Sequence, residues 1–307
     1  MIFKKVKKGY QFFMEVIGEF VQDKALKYSA ALAYYTVFSV APFLVIIISV
    51  SGIFFGRVAV QGELYQQING LVGNEAALQI QQMITNIHLS ENNVFATVVS
   101  FIILIMGATG IFSEIQDSIN QIWGLKSKPK RGWLKMIMNR LISFSLIVSL
   151  GFILMVSLLL NALVVLVGTQ LMKMLPGAGI YIVNGINNIL TFLILTFLFG
   201  VIFKVLPDAK LRWKDVAVGS IATAVLFMLG KFCIGLYMGH SNLTSVYGTA
   251  GSIIIVMLWV YYSAVILYFG AVFTKVYARH AGSEIRPNDY AVWIRTKEIE
   301  MPAAKFV

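Results

Sequence analysis

Apolar residues recur in this chain in two distinct patterns, and the two imply different elements. From Phe3 to Val21 they fall at helical spacing (Phe3, Val6, Tyr10, Phe13, Met14, Ile17, Phe20, Val21) with lysines and glutamates between them, which predicts an amphipathic helix. With Lys4, Lys5, Lys7 and Lys8 turned to anionic headgroups, such a helix suits a membrane surface, and the plainer expectation is a helix packed on protein. Further on, the apolar residues are continuous. Runs of about 18 or more such residues with few charges mark spanning helices, because in lipid each backbone amide must find its partner within its own segment. Six runs qualify, at about 29–55, 94–112, 137–167, 180–205, 216–238 and 252–276.

Irregularities in these runs are informative. Pro42 removes a donor from the first and predicts a kink. The second has the pattern to continue as helix to Trp123, and the third exceeds the ~20 residues needed to cross, which predicts tilt or a protruding end. Between the first two, 57–91 is polar and glutamine-rich. Leu64, Ile68, Leu71 and Val72, then Ile80, Met83, Ile84 and Ile87, keep helical spacing on either side of Gly73 and Asn74, which predicts two short amphipathic helices capping one face. The expected organisation is therefore all-α: an interfacial helix in 1–28, a six-helix transmembrane domain in 29–279 with an extracytoplasmic cap, and a tail in 280–307.

Composition agrees, with 58% hydrophobic and 13% charged residues. The net charge of +11 first suggests nucleic acid, so its placement decides. With six spans and the N-terminus inside, basic residues gather in the N-terminal segment, in 126–140, in 204–214 and from Lys275 onward, leaving only Arg57, Lys173 and Lys231 elsewhere. Cytoplasmic retention of lysine and arginine explains that distribution with both termini inside, and no nucleic-acid partner is needed. The start lacks the pattern of a cleavable signal, so the first span is expected to direct insertion. Cys233 is the only cysteine, which excludes a disulfide framework. His88, His240 and His280 are far apart, and no zinc-protease, paired-cysteine, phosphate-loop or nucleophile-elbow motif occurs. Neither an enzyme nor a cofactor is expected.

Lys231 is the first candidate for function, since a cation inside a span costs about 2.5–3.5 kcal/mol at the helix centre. Either it faces a cavity and meets an anion, or it snorkels to the headgroups. Polar residues of the 237–251 connection, Tyr237 and Tyr247 among them, suit a cavity mouth or an ordinary interfacial turn. Glu114 and Asp117 share a helical face with Asn120 and Gln121. They could relay a proton or bind a cation, or simply pair with the basic residues of 126–135. Tyr34, Tyr35, Ser39, Asn161, Asn184, Asn187, Asn188, Tyr261, Tyr262 and Ser263 are candidates for hydrogen bonds between helices.

Several separate segments then resemble one family. Ser29-Ala30-Ala31-Leu32-Ala33-Tyr34-Tyr35 with Ala41-Pro42, Asn120 before Ile122-Trp123, Phe203 to Asp208 followed by Trp213, then Lys231, Tyr237, Tyr247-Gly248, Trp259-Val260-Tyr261 and Gly270-Ala271 look like the YihY/BrkB family of bacterial inner-membrane proteins. The resemblance implies six spans with both ends in the cytoplasm. Where the family pattern has a glutamate after the Gly-Ala of the last span, this chain has Val272, so no role of that glutamate carries over. The resemblance also brings an old label, a transfer-RNA-processing ribonuclease, which the absence of a metal or acid-base motif argues against. Two functions are expected to compete. One is a carrier of a lipid-like or small anionic solute, with Lys231, Tyr237, Tyr247, Tyr34, Tyr35, Asn120 and Tyr261 lining its cavity and Pro42 as a flexible element. The other is a non-transporting envelope protein that recruits partners through its cap. Membrane lipids are the expected partners in both, and the sequence leaves the oligomeric state open.

Overall fold

The computed structural model describes residues 2–39, 77–78, 81, 110–128, 179–240 and 251–294. Within them lie helix α1 (Ile2–Gln22), helical residues 25–39 (α2), helical residues 110–122 (α3), α4 (Gly179–Val205), α5 (Trp213–His240) and α6 (Gly251–His280). Of the expected cap, residues 77, 78 and 81 are helical. The expected third span, Pro42 and Tyr247 lie outside the described residues. Among the described helices, three are long and apolar enough to cross a membrane: Tyr181–Val205, Trp213–Tyr237 and Ile254–His280.

The antiparallel pair α5 and α6 forms the centre. Gly219 on α5 faces Thr274 on α6, and Gly270 on α6 faces Thr223 on α5. A Cβ at Gly219 would lie 1.9 Å from Thr274 Oγ1, and one at Gly270 would lie 2.0 Å from Thr223 Oγ1. Each threonine hydroxyl donates to the carbonyl of the glycine one turn back on its own helix, at 2.7 Å in both cases. Satisfied in this way, the two threonines can turn into the partner's glycine notch without stranding a polar atom, and the backbones approach closely.

On the other side of α5 packs α4, with Phe199 against Phe227 at 5.8 Å. Opposite it, α6 carries α1, α2 and α3. Phe12 and Phe20 of α1 meet Phe273 and Phe269 of α6, with Val16 fully buried between them. Beside this apolar seam, Lys275 pairs with Glu19 at 3.0 Å and with Asp23 at 2.9 Å, while Arg279 contacts Glu15 and Glu19. Part of the sequence expectation is thus refined, since α1 packs on protein through one face. A second stripe, Tyr10, Met14, Ile17 and Val21, stays exposed. Lys24, with φ of 56°, turns the chain out of α1 into α2.

The all-α expectation misses four short strands. β1 (Leu125–Ser127) pairs with β4 (Ala291–Trp293), and β2 (Ala209–Lys210) with β3 (Arg286–Pro287), both antiparallel. The segment following α6, expected as a tail, therefore staples the loops after α3 and α4 together. Trp123, buried at the end of α3, donates its Nε1–H to the Ala271 carbonyl at 3.0 Å and fixes α3 to α6.

Candidate functional site

Lys231 sits 18 residues into α5, about 27 Å from its start at the helical rise of ~1.5 Å per residue. It is half-buried. Its neighbour Gly230 has no side chain, and the Tyr262 hydroxyl of α6 fills the vacancy so closely that a Cβ there would lie 1.1 Å from that oxygen. Trp259, one turn earlier on the same face of α6, packs edge-on against Phe227 at 6.1 Å and against Ile234 and Ile255. Neither the Trp259 Nε1–H nor the Tyr262 hydroxyl, both buried, has a hydrogen-bond partner. A buried donor without an acceptor costs about 1–3 kcal/mol. Both lie on the α5–α6 seam, the Tyr262 hydroxyl against Gly230, which precedes Lys231, and Trp259 against Phe227 and Ile234.

Other expected residues take different places. Tyr237 is exposed at the far end of α5, and Tyr34 and Tyr35 are exposed on α2, where the Tyr34 ring lies tilted against Phe38 at 4.9 Å. Tyr261, part-buried, precedes Tyr262 on α6. Asn120 is not with Lys231 but at the α1 end of the bundle. Expected glue between helices proves largely local. Ser39 and Ser263 donate to carbonyls four residues back in their own helices, and Asn184, Asn187 and Asn188 are exposed. A hydroxyl in apolar surroundings finds its own helix nearer than a neighbouring one.

Asn120 belongs to a buried clasp. Its carboxamide oxygen accepts the Asp208 backbone N–H at 2.8 Å while its nitrogen donates to Asp208 Oδ2 at 3.0 Å, and Gln116 donates to Oδ1 at 2.9 Å. The reciprocal bonding fixes which way the amide points, since the flipped amide would set oxygen against carboxylate. The Asp208 carbonyl accepts from the Asn288 backbone N–H at 2.9 Å, so α3, the loop after α4 and the C-terminal staple meet on one aspartate. Sequence reasoning counted Asp208 within a family-like segment but gave it no role. Nearby, a cavity of about 480 Å³ opens beside Trp123, Trp293 and Ser283, but the cations at its wall, Lys275 and Arg279, already pair with carboxylates of α1.

Glu114 and Asp117 do not share an environment. Asp117 is exposed. Glu114, part-buried, accepts from Ser118 Oγ at 3.3 Å and makes no ion pair among the described residues, so pairing with Lys126 or Lys128 is not observed. Across from Ser118 stands Tyr268 of α6, which is 0% exposed and whose hydroxyl lacks a hydrogen bond. On the α2 side, Tyr28 donates to Gln121 Oε1 at 2.5 Å.

Among the described residues no group of His, Cys, Asp and Glu is arranged to hold a metal. The model of the family described as "Virulence factor BrkB" matches residues 16–292. Similar curated proteins carry the name UPF0761 membrane protein. One from Saccharophagus degradans is 26% identical over 91% of this chain and 63% of its own length. Another from Pseudomonas aeruginosa is 28% identical over 86% and 62%, and a third from Tolumonas auensis is 26% identical over 79% and 77%. The chain spans about three fifths of the first relatives' length. No solved structure matches it. With its family matched from α1 to β4 and its apolar helices in place, this chain is an integral membrane protein belonging to the BrkB/YihY family.

Proposed function

We propose that the protein carries or exports a lipid-like or small anionic solute across a bacterial inner membrane, with both termini in the cytoplasm. The carrying observation is the pair of buried donors without acceptors, Trp259 Nε1–H and Tyr262 O–H, on the seam where α5 bears Lys231. Leaving donors unpaired in a low-dielectric interior is expensive, and a passing ligand that brings phosphate or carboxylate oxygens removes the cost. Two neutral donors and a cation supply what such a headgroup needs, and the apolar seam around Ile234 and Ile255 suits an acyl or hydrocarbon part. Catalysis, a cofactor and nucleic acid have no part in this reading.

Orientation follows from charge. The end bearing α1, the β strands, Lys210 and Arg212 is the basic one, which supports a cytoplasmic orientation for it. There α1 lies along the membrane surface, docked on α6 by one face, its exposed stripe of Tyr10, Met14, Ile17 and Val21 in the acyl boundary and Lys7 and Lys8 near the headgroups. A non-transporting role through the 57–91 cap is the competing reading.

Native mass spectrometry of the protein released from its own membrane, wild type beside Lys231→Ala, tests the carrier. A defined anionic species held by the wild type and lost from the variant supports it. An identical nonspecific lipid background in both moves the assignment to the structural role.

A further inference from the structure

Glu114, Ser118 and Tyr268 form a short polar line between α3 and α6 at a place where the surrounding side chains are apolar. Ile115 and Ile119 on α3 and Leu267 and Ala271 on α6 are all buried beside it. Ser118 turns its hydroxyl toward Glu114, donating to Oε1 at 3.3 Å. Tyr268 is 0% exposed, and its hydroxyl, with Ser118 as its polar neighbour, makes no hydrogen bond. An unpaired phenol in a closed interior is a standing cost of about 1–3 kcal/mol, and one rearrangement lowers it by giving the phenol oxygen a donor. If Glu114 binds a proton, its carboxyl becomes a donor, Ser118 Oγ can accept from it, and the Ser118 hydroxyl is released to donate to Tyr268 Oη. Every hydroxyl in the line then has a partner.

We infer that Glu114 is a proton-loading site, read through Ser118 by Tyr268. The step is a simple association: one proton from bulk water joins a Glu114 carboxylate oxygen, the Ser118 hydroxyl reverses, and no other covalent bond changes. The inference rests on the carrier reading and deepens it by naming the coupling ion. The charged and titratable groups facing the line are few. Asp117 stands on the same helix, Tyr28 on α2 already donates to Gln121, and Tyr268 comes from α6. No cation faces Glu114 among the described residues. Beyond the expected second span, burial first and the negative charge of Asp117 in addition push the Glu114 carboxyl above its ordinary value, against the Ser118 hydrogen bond.

The test uses the full chain reconstituted in phosphatidylcholine vesicles with no added solute, followed by infrared absorption of the protonated carboxyl group as pH is lowered. The wild type is expected to show a carboxylic-acid band with a midpoint above that of an ordinary solvent-exposed glutamate. Glu114→Gln should lose that band. Tyr268→Phe, which removes the waiting acceptor, should lower its midpoint. A band that survives in Glu114→Gln, or a midpoint at the ordinary value, overturns the proton site. A midpoint unmoved by Tyr268→Phe overturns the readout through Ser118. Ligand retention at Lys231, measured separately, can fail while the Glu114 band stands, and the band can fail while retention stands, so the two proposals fall independently.

Discussion

Asn120 and Asp208 hold each other through both ends of one carboxamide, although 88 residues separate them. The pair is buried, and Gln116 donates to the carboxylate's other oxygen. Asn120→Ala would strip a donor from a buried carboxylate and an acceptor from a buried backbone amide at once. The expected cost is about 2–3 kcal/mol, read as a lowered unfolding midpoint of the detergent-solubilised protein. Asn120→Asp should be at least as damaging because it sets two carboxylates together. A variant as stable as the wild type would remove the clasp from any account of how α3 is held.

The Gly219–Thr274 and Gly270–Thr223 notches set how closely α5 and α6 approach. Gly219→Val puts branched carbon where Thr274 stands and should destabilise by about 1–3 kcal/mol or more, through overpacking. Gly235, against which an added Cβ meets nothing within 4 Å, is the control. Gly235→Ala should leave the unfolding midpoint unchanged or slightly raised, because alanine is the better helix former. Equal effects at 219 and 235 would mean that the close approach is not what holds the two helices.

Acidification should weaken the docking of α1. Glu15 meets His280 Nε2 at 2.7 Å and also contacts Arg279. The His280 hydrogen bond, with the charges of Arg279 and His280 added, holds the Glu15 carboxyl below its ordinary value of 4.5, against the opposing pull of desolvation. A carboxylate depressed in the folded state contributes stability that is complete above its unfolded value and is lost as pH falls through the folded one. The gap in unfolding midpoint between wild type and Glu15→Gln should therefore be present at about pH 7 and close below about pH 4. Asp23, raised chiefly by burial, titrates with the opposite sign, which is why the comparison is made with Asp23 intact in both proteins. A gap that widens on acidification would contradict the assignment.

Topology can be read from one engineered thiol. Asp289 is almost fully exposed at the stapled end, paired with Lys210 at 2.7 Å in a surface contact worth little. Asp289→Cys in a Cys233→Ala background should react with a membrane-impermeant maleimide only after the cells are opened. Labelling of intact spheroplasts would place this end outside and overturn the cytoplasmic assignment.

The sequence yielded the helices more readily than the contacts between them. The bounds of α4, α5 and α6 fall within a few residues of their apolar runs, because hydropathy over some twenty residues is a strong signal. On α1 the periodicity was visible but its direction was not, since Val16 and Phe20 face protein while Ile17 and Val21, one position on, do not. The β strands are two or three residues long, too short for an alternating pattern to show. Asp208 was hidden by distance, as its donors come from a helix about ninety residues earlier. Tyr262 stood out only as one polar residue among several. That its hydroxyl lacks an acceptor is a property of packing against Gly230, which no spacing reveals.

The central claim is that the α5–α6 seam holds a ligand through its unpaired donors. Native mass spectrometry of a Trp259→Phe/Tyr262→Phe variant beside Lys231→Ala and wild type tests it most directly, because the double variant keeps an aromatic ring at each position and removes both hydrogen-bond donors. A defined anionic species is expected on the wild type, reduced at least about tenfold in the double variant. Undiminished retention in both variants, or no defined species on the wild type, would contradict it.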